Sequence, residues 1–502
     1  MNNYNVVIAG AGQAGVQTAI SLHQAGYTGS IALLSAEDTE PYERPPLSKS
    51  YLAGDDDLNA ILFRTPGYWD ESPVTLRTAA RVVAVDAEAH TVTTSQGEAI
   101  GYGYLVWAAG GTARTLPIPG HDLRGVLSIR DLQDANELRS ILGTAQRAVI
   151  IGGGYVGLEA AAAFRGRGIA TTIIEAQDRL LARTTSPVIS DFFAQVHRAN
   201  GVDIILNGGV SEILGNHGHV TAVRLADRTQ LEADLVIVGI GLVPNVDPIA
   251  GAGGNVDNGV VVDAYCRTDL PDIFAVGDVA RHPNIYSDGE SVRLESVQNA
   301  IEQAKLVADY IRGEARPYEV VPWFWSNQYD ARLKTVGLLT GYDELVVRGN
   351  PSKPGFTVVY LRAGQVIALD CVNTPVDFAH GRVLIERGVS ASAEALADTS
   401  RPLKTLVGDD RGTCETGRGL ILAGLSGDIR RGVDECGRVR GDQVDDGSGG
   451  QIADAASQLQ EQGYAGTIPA VDDNWLRRRG QAGVFALLRA GRRDAGRRGG
   501  AG

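Results

Sequence analysis

Two glycine-rich turns carry the clearest chemical signal in this sequence. Residues 10–15 read Gly-Ala-Gly-Gln-Ala-Gly, and residues 152–157 read Gly-Gly-Gly-Tyr-Val-Gly. In such a turn the first glycine permits a sharp bend, the second lets backbone N–H groups approach a pyrophosphate, and the third lets a helix lie close to the strand. The helix N-terminus then presents its positive dipole end to the anion. We therefore expect two dinucleotide sites, built by Gly10, Gly12 and Gly15 and by Gly152, Gly154 and Gly157.

Two carboxylates stand where a bound dinucleotide needs hydrogen-bond acceptors. Glu175 closes the apolar segment 171–175, about 20 residues after the second turn, where a carboxylate binds the ribose hydroxyls of NADH and repels the 2′-phosphate of NADPH. No arginine occurs in residues 176–178, so NADH is favoured. Asp278 follows an apolar run and Gly277, a position where a polyol needs an acceptor; a helix N-cap is the alternative interpretation.

Cysteine and histidine chemistry is not indicated. The four cysteines (Cys266, Cys371, Cys414 and Cys436) form no closely spaced pair, which argues against a disulfide framework, a zinc site, a bound cluster and a flavin disulfide reductase. We expect buried or inert thiols. The eight histidines show no ligand spacing, so no metal site is predicted.

The elements that must position these residues form two similar units. Apolar runs at 5–9 and 148–151 precede the turns, helical stretches follow them, and further strands are predicted at 31–34 and 171–175. Strand, glycine turn, helix and strand make the βαβ unit that binds a dinucleotide.

Length and composition fit a multidomain α/β protein. At 502 residues the chain is too long for one core, so two to four domains are expected. Its net charge of −14 disfavours nucleic acid as the main partner. No apolar run reaches the roughly 18 residues of a membrane span, and the first residues lack a secretory signal, so a cytoplasmic location is expected.

The C-terminal part changes character twice. Short apolar runs at 333–339, 345–348, 356–361 and 366–372 predict a small antiparallel sheet, followed by a helix at 378–387. After about residue 408 the chain is rich in glycine and arginine and contains no lysine, which predicts a flexible basic extension with one helix at 451–462.

Five segments resemble one family. They are 41–49 (Pro-Tyr-Glu-Arg-Pro-Pro-Leu-Ser-Lys), 105–111, 268–278, 294–300 and 323–326 (Trp-Phe-Trp-Ser). Together they resemble the NADH-dependent ferredoxin reductases of bacterial cytochrome P450 and Rieske oxygenase systems, of the putidaredoxin and rhodocoxin reductase type, over residues 4 to about 407. The resemblance implies an α/β fold with two Rossmann-like domains, like that of glutathione reductase, plus a C-terminal α+β domain. The implied domains are 1–112 with 242–318 for FAD, 113–241 for NADH, 319–408, and the extension 409–502.

The same resemblance implies roles for individual residues. For FAD these are the first glycine turn with Ala14 at its tight point, Lys49 near the flavin, Val82 on the adenine side, Arg130, Asp278 and Val297. For NADH they are Glu175 and Arg183. Lys49, Glu159 and Trp325, with Trp323 beside it, would act at the flavin, and Glu159 should pair with Lys49. The family usually has an acid at the end of the second strand; here Ala36 takes that position, and the neighbouring Glu37 is the expected substitute.

A partner and its alternatives also follow from the resemblance. The expected acceptor is a [2Fe–2S] ferredoxin that docks on a basic patch formed by Arg64, Lys305, Lys334 and Lys404. A rubredoxin as acceptor stays open. An NADH oxidase or peroxidase is disfavoured because residues 36–49 contain no redox cysteine. A flavin-bearing signalling or nucleic-acid-associated protein of the apoptosis-inducing-factor type is the alternative from another class.

Overall fold

The computed structural model describes residues 2–407. In chain order the strands are β1 Asn2–Ala9, β2 Ile31–Leu34, β3 Val74–Arg77, β4 Val82–Asp86, β5 Thr91–Thr94, β6 Ala99–Trp107, β7 Gly111–Ala113, β8 Val126–Leu127, β9 Arg147–Ile151, β10 Ala170–Ile174, β11 Val202–Ile205, β12 Val210–Asn216, β13 His219–Leu225, β14 Gln230–Glu232, β15 Leu235–Val238, β16 Leu242–Pro244, β17 Val260–Val261, β18 Ile273–Ala275, β19 Ala280–Pro283, β20 Ser291–Arg293, β21 Trp323–Gln328, β22 Ala331–Gly337, β23 Glu344–Gly349, β24 Phe356–Arg362 and β25 Gln365–Val372.

The α-helices of the same residues are α1 Gln13–Gln24, α2 Ser50–Ala53, α3 Leu58–Ile61, α4 Tyr68–Glu71, α5 Leu132–Leu142, α6 Tyr155–Gly166, α7 Pro187–Ala199, α8 Asp247–Gly251, α9 Val297–Ile311, α10 Pro375–Glu386 and α11 Ala393–Ala397. Within residues 2–407 no helix combines the length and the apolar character that crossing a membrane requires.

The first sheet carries the first glycine turn. Its parallel part has the order β3-β2-β1-β6-β18, and the hairpin β4–β5 adds antiparallel strands along the first half of β6. Residues 6–9 of β1 are all buried, as expected for a parallel strand covered on both faces. The turn therefore leaves the carboxyl end of a central strand, the position where doubly wound sheets bind ligands.

The second sheet repeats this arrangement. It is parallel throughout, in the order β11-β10-β9-β15-β8, with β9 in the centre and the second glycine turn at its end. Helix α6 begins at Tyr155, within the turn, because Gly154 is its N-cap. The first strands, helices and turns of both predicted units are thus confirmed.

The third sheet is antiparallel, in the order β21-β22-β25-β24-β23, and α10 packs on it. The predicted sheet is confirmed, and the aromatic segment beginning at Trp323 is its edge strand. Strand β22 ends at residue 337, two residues before the predicted end, because Gly337 has a φ of +82° and a Cβ there would meet Ile367 O at 2.1 Å. Helix α10 begins at Pro375, three residues before the predicted start, since proline suits the first turn of a helix.

A continuous core joins the second and third sheets. Phe192 of α7 packs edge-on against Phe356 of β24, with ring centroids 5.2 Å apart. Beside this contact the fully buried Asp370 of β25 accepts hydrogen bonds from the hydroxyls of Thr335 and Tyr360, at 2.5 and 2.6 Å, and of Thr185. Burial raises the pKa of the Asp370 carboxyl.

These sheets confirm the predicted fold class. The extension 409–502, with the helix predicted at 451–462, lies outside the described residues.

Candidate functional site

The first glycine turn combines close packing with an open face. A Cβ at Gly10, which has a φ of +113°, would lie 2.4 Å from Ala108 O, and a Cβ at Gly15 would lie 1.8 Å from Gly10 O. Neither position tolerates a side chain without a shift of the backbone. Gly12, the N-cap of α1, would meet nothing within 4 Å. The turn therefore presents a helix N-terminus to open space, which fits the pyrophosphate of a dinucleotide.

The second turn has the same construction. A Cβ at Gly152 would lie 2.4 Å from Gly239 O, and one at Gly157 would lie 2.4 Å from Gly152 O. Gly154, the N-cap of α6, would again meet nothing within 4 Å. The residues present at both turns fit two dinucleotides.

Glu175 lies at the rim of the second turn. Its Oε2 accepts the N–H of Gly153 at 2.7 Å, and its Oε1 accepts the N–H of Gln177 at 2.8 Å. Two backbone donors thus fix the carboxylate immediately after β10. Arg183 is exposed, and its Nη2 would lie 3.8 Å from a Cβ at Gly241, beyond the end of β15.

Three of the residues expected to hold FAD meet at the first turn. The Cβ of Ala14 would lie 2.9 Å from a Cβ at Gly277, so α1 packs directly on the segment that precedes Asp278. Arg130 donates to Gly111 O at 2.8 Å, and its Nη2 lies 3.8 Å from Asp278 Oδ2. Withdrawal from water raises the pKa of the Asp278 carboxyl, and the Arg130 charge counteracts this. A partly buried acid beside a cation can accept a polyol hydroxyl.

The end of β2 differs from the simplest expectation. Ala36 is exposed and offers no side-chain acceptor, whereas Glu37 accepts hydrogen bonds from Arg44 at 2.7 Å and from Tyr42 at 2.5 Å. Arg44 also donates to Arg130 O at 2.6 Å. Arg44 thus ties Glu37 and the segment 41–49 to the residues that precede α5. Whether Glu37 also binds a ribose stays a prediction.

Val82 and Val297 are the other two residues expected to contact FAD. The N–H of Ala79 donates to Glu37 O at 3.0 Å, which brings β4, beginning at the half-buried Val82, beside the end of β2. Val297 is the first residue of α9. The roles of Val82 and Val297 stay predictions.

The expected ion pair between Lys49 and Glu159 is present. Lys49 Nζ lies 2.6 Å from Glu159 Oε2, and Ser48 donates to the same oxygen at 2.8 Å. Ser326 of β21 donates to Glu159 Oε1 at 2.7 Å. The side chain of Glu159 is 6% exposed and that of Lys49 is 25% exposed. Charge-assisted hydrogen bonds of this kind are the strong ones, so both carboxylate oxygens are held in place.

Strand β21 contacts both α6 and α9. The rings of Tyr155 and Phe324 meet edge-on with centroids 4.6 Å apart, and the N–H of Trp323 donates to Gln298 Oε1 at 3.2 Å. The rings of Trp323 and Trp325 lie 5.7 Å apart. Trp325 therefore stands on the strand that joins the ion pair to the start of α9.

Sequence reasoning missed several members of this site. Ser48 and Ser326 adjoin Lys49 and Trp325 in the quoted segments, and Tyr155 stands between the glycines, so their positions were available as signals. No local pattern marks Gln328, which donates to Ser326 at 3.1 Å, or His197, whose Nε2 lies 2.8 Å from Gln328 Oε1.

Three of the four basic residues expected in a docking patch each contact a different neighbour. The guanidinium of Arg64 lies 5.6 Å from the ring centroid of Tyr68, and the ammonium of Lys334 lies 5.0 Å from that of Phe378. The other two differ in their freedom: Lys305 pairs with Glu302 at 2.9 Å, and Lys404 is exposed.

Two of the four cysteines are described, and both are buried. Burial raises the pKa of the Cys266 and Cys371 thiols, which keeps them protonated. The expectation of buried thiols is confirmed for this pair. Cys414 and Cys436 lie outside the described residues.

Comparison with known proteins agrees with this construction. The 5,5′-dehydrodivanillate O-demethylase ferredoxin reductase subunit of a Sphingobium species is 47% identical over 407 residues, which cover 81% of this chain and 99% of that protein. A rubredoxin–NAD(+) reductase of Pseudomonas putida is 38% identical, with 74% and 96% covered. The crystal structure of the covalent putidaredoxin reductase–putidaredoxin complex is similar with a TM-score of 0.78 at 40% identity, over 81% of this chain and 99% of that chain.

Two family models match the chain. The model described as pyridine nucleotide-disulphide oxidoreductase matches residues 4–304, and the model described as reductase C-terminal matches residues 323–407. The resemblance to ferredoxin reductases that the five segments indicate is confirmed by these relatives. The chain therefore belongs to the pyridine nucleotide-disulphide oxidoreductase family.

Proposed function

We propose that this protein is an FAD-dependent NADH:ferredoxin oxidoreductase that supplies a cytochrome P450 or a Rieske oxygenase. The observation that carries the proposal is the contact between Lys49, which follows the first glycine unit, and Glu159, which lies on the helix of the second. Each glycine turn leads into an open helix N-terminus, and the contact lies between the two units, so it supports two dinucleotide sites whose cofactors would meet there.

The proposed domains are 1–112 with 242–318 for FAD, 113–241 for NADH and 319–408 for the C-terminal α+β domain. The first turn, Ala14, Arg130 and Asp278 would hold FAD, with Val82, Val297 and Glu37 at its rim. The second turn, Glu175 and Arg183 would hold NADH. We also expect the protein to act in the cytoplasm.

The protein's own residues would bind and orient the two cofactors and balance their charge. FAD, when bound, supplies the conversion between the two electrons of a hydride and the single electrons that an iron–sulfur protein accepts. Lys49 would place a positive charge beside the flavin, which takes up electron density on reduction, and Glu159 fixes the direction of that ammonium group. Trp325 would give the flavin an apolar neighbour that limits the access of water.

The proposed acceptor docks on a patch of Arg64, Lys305, Lys334 and Lys404. The whole chain carries a net charge of −14, so an acidic partner needs local positive charge. Lys334 and Lys404 support this patch best because both are exposed. Lys305 contributes less, since Glu302 already neutralises it.

A rubredoxin is the second candidate acceptor, and the relative that is 38% identical supports it. One comparison tests both proposals: the purified protein should be yellow, should oxidise NADH faster than NADPH, and should reduce a [2Fe–2S] ferredoxin faster than a rubredoxin or oxygen. A colourless protein that takes up no flavin refutes the proposed function. A preference for rubredoxin refutes only the assignment of the acceptor.

A further inference from the structure

A buried hydrogen-bond chain leads away from the Lys49–Glu159 pair. Beyond Glu159 it passes through Ser326 and Gln328 of β21 and ends at His197 of α7, with successive distances of 2.7, 3.1 and 2.8 Å. Ser326, Gln328 and His197 are 0, 1 and 0% exposed. Water has no access that would let it replace one of these partners, so each side chain depends on its neighbour for a hydrogen bond.

The charge of Glu159 fixes the direction of every bond in the chain. An ionised carboxylate only accepts, so Ser326 must donate its one hydroxyl proton to Glu159. Ser326 then accepts from Gln328, which turns the amide nitrogen of Gln328 toward the serine. The amide oxygen faces His197, which must therefore carry its proton on Nε2. Burial lowers the pKa of His197, in keeping with a neutral ring.

We infer that Ser326, Gln328 and His197 are positioning residues that act on the flavin through Glu159 and Lys49, an inference that rests on the proposed function. Their aligned donors hold Glu159 Oε1, which leaves Oε2 directed at Ser48 and the ammonium group of Lys49. The groups that face Glu159 are Ser48 and Lys49 before α2, Tyr155 on α6 and Ser326 on β21. The tautomer of His197 therefore depends on the hydrogen bond that Glu159 Oε1 accepts from Ser326.

The tautomer can be read directly in the holoenzyme. With ¹⁵N-labelled histidine, the wild-type protein should show His197 protonated on Nε2. A ring protonated on Nδ1 would require Gln328 to donate to His197 Nε2 and to accept from Ser326, which would leave Glu159 Oε1 without its serine donor. That result overturns the inference.

One variant tests the effect on the flavin. Gln328→Met keeps the volume of the side chain but removes both hydrogen bonds. We expect the limiting rate of flavin reduction by NADH to fall about tenfold while the apparent Kd for NADH stays within about twofold. The midpoint potential of the flavin should become more negative because aligned donors no longer offset the carboxylate charge.

Thr357→Val is the matched control, since Thr357 is equally buried in the same sheet and its hydroxyl hydrogen-bonds Thr374 and Asp377, outside the chain that runs from Glu159 to His197. It should lower stability without changing either the rate or the potential. If Gln328→Met behaves like this control, the inference is wrong. A protein that binds no flavin would refute the proposed function, and the tautomer of His197 would still decide whether the chain is directed as described.

Discussion

Removing the charge of Lys49 should leave a buried carboxylate without its cation. Glu159 is 6% exposed, and its Oε2 lies 2.6 Å from Lys49 Nζ. Breaking a fully buried pair typically costs about 3–5 kcal/mol. Because Lys49 is 25% exposed, water can reach part of the space that its ammonium group vacates, so we expect Lys49→Met to lose about 2–3 kcal/mol of unfolding free energy.

The partner variant should cost less. In Glu159→Gln the amide oxygen can still accept from Lys49, and the unpaired ammonium group can turn toward water. We therefore expect a loss of about 1–2 kcal/mol of unfolding free energy. In the double variant no charge is left unpaired. The two losses should therefore not add, and the coupling free energy should reach about 1–2 kcal/mol.

The assay is equilibrium urea unfolding at one fixed excess of FAD, followed by circular dichroism and by flavin fluorescence. The contribution of bound cofactor depends on the Kd as well as on the concentration of FAD, so the Kd for FAD is measured for all four proteins and this contribution is subtracted. Coincident transitions justify the use of one unfolding free energy. A coupling free energy below about 0.5 kcal/mol would show that the pair does not act as a unit, and the reasoning from burial would fail.

Three further outcomes follow from other contacts. Glu175→Ser should raise the KM for NADH about tenfold and reduce the preference over NADPH, because the carboxylate held by the N–H of Gly153 is lost; steady-state kinetics with both nucleotides measures this. The difference in unfolding free energy between Asp370→Asn and the wild type should shift in favour of the variant as pH rises from 4 to 7. The pKa of Asp370 is higher in the folded than in the unfolded protein, so the wild type loses stability as pH rises from the unfolded pKa through the folded pKa, whereas asparagine does not titrate. Urea unfolding of both proteins at pH 4 and pH 7 measures the difference in unfolding free energy. The same difference at both pH values contradicts the prediction. Lys334→Glu with Lys404→Glu should slow ferredoxin reduction about tenfold at low salt while ferricyanide reduction stays normal, and equal losses with both acceptors would remove the docking patch.

Much of the fold could be predicted because its signals are local. Each glycine turn follows a buried apolar run, and the constraint on Gly15 or Gly157 comes from the first glycine of the same turn. Glu175 was placed correctly at the second turn because its distance along the chain is set by one helix and one strand. The pattern predicted a helix after the second turn, at 152–157, whereas α6 begins at Tyr155 within it, since the glycine that caps the helix also belongs to the turn.

The rest of the candidate site depends on contacts that no local pattern encodes. Ser326 meets Glu159 across 167 residues, and Gln328 meets His197 across 131. In a strand, Ser326 and Gln328 simply read as the polar members of an alternating pattern, which predicts a solvated face. The packing of β21 against α6 buries them instead, and that packing is a property of the assembled sheets.

This burial explains why the third sheet matters for more than stability. A core contact between α6 and β21 needs only apolar side chains, as the contact of Phe192 with Phe356 shows nearby. Burying Ser326 and Gln328 costs free energy unless each of their polar atoms has a hydrogen-bond partner. Because these hydrogen bonds are directional, they restrict α6 and β21 to one relative position. Trp323 meanwhile bonds Gln298 of α9. Because α9 packs on α1, this edge strand links the first unit to α6 of the second, and the proposed hydride transfer between two bound cofactors would require such a fixed arrangement.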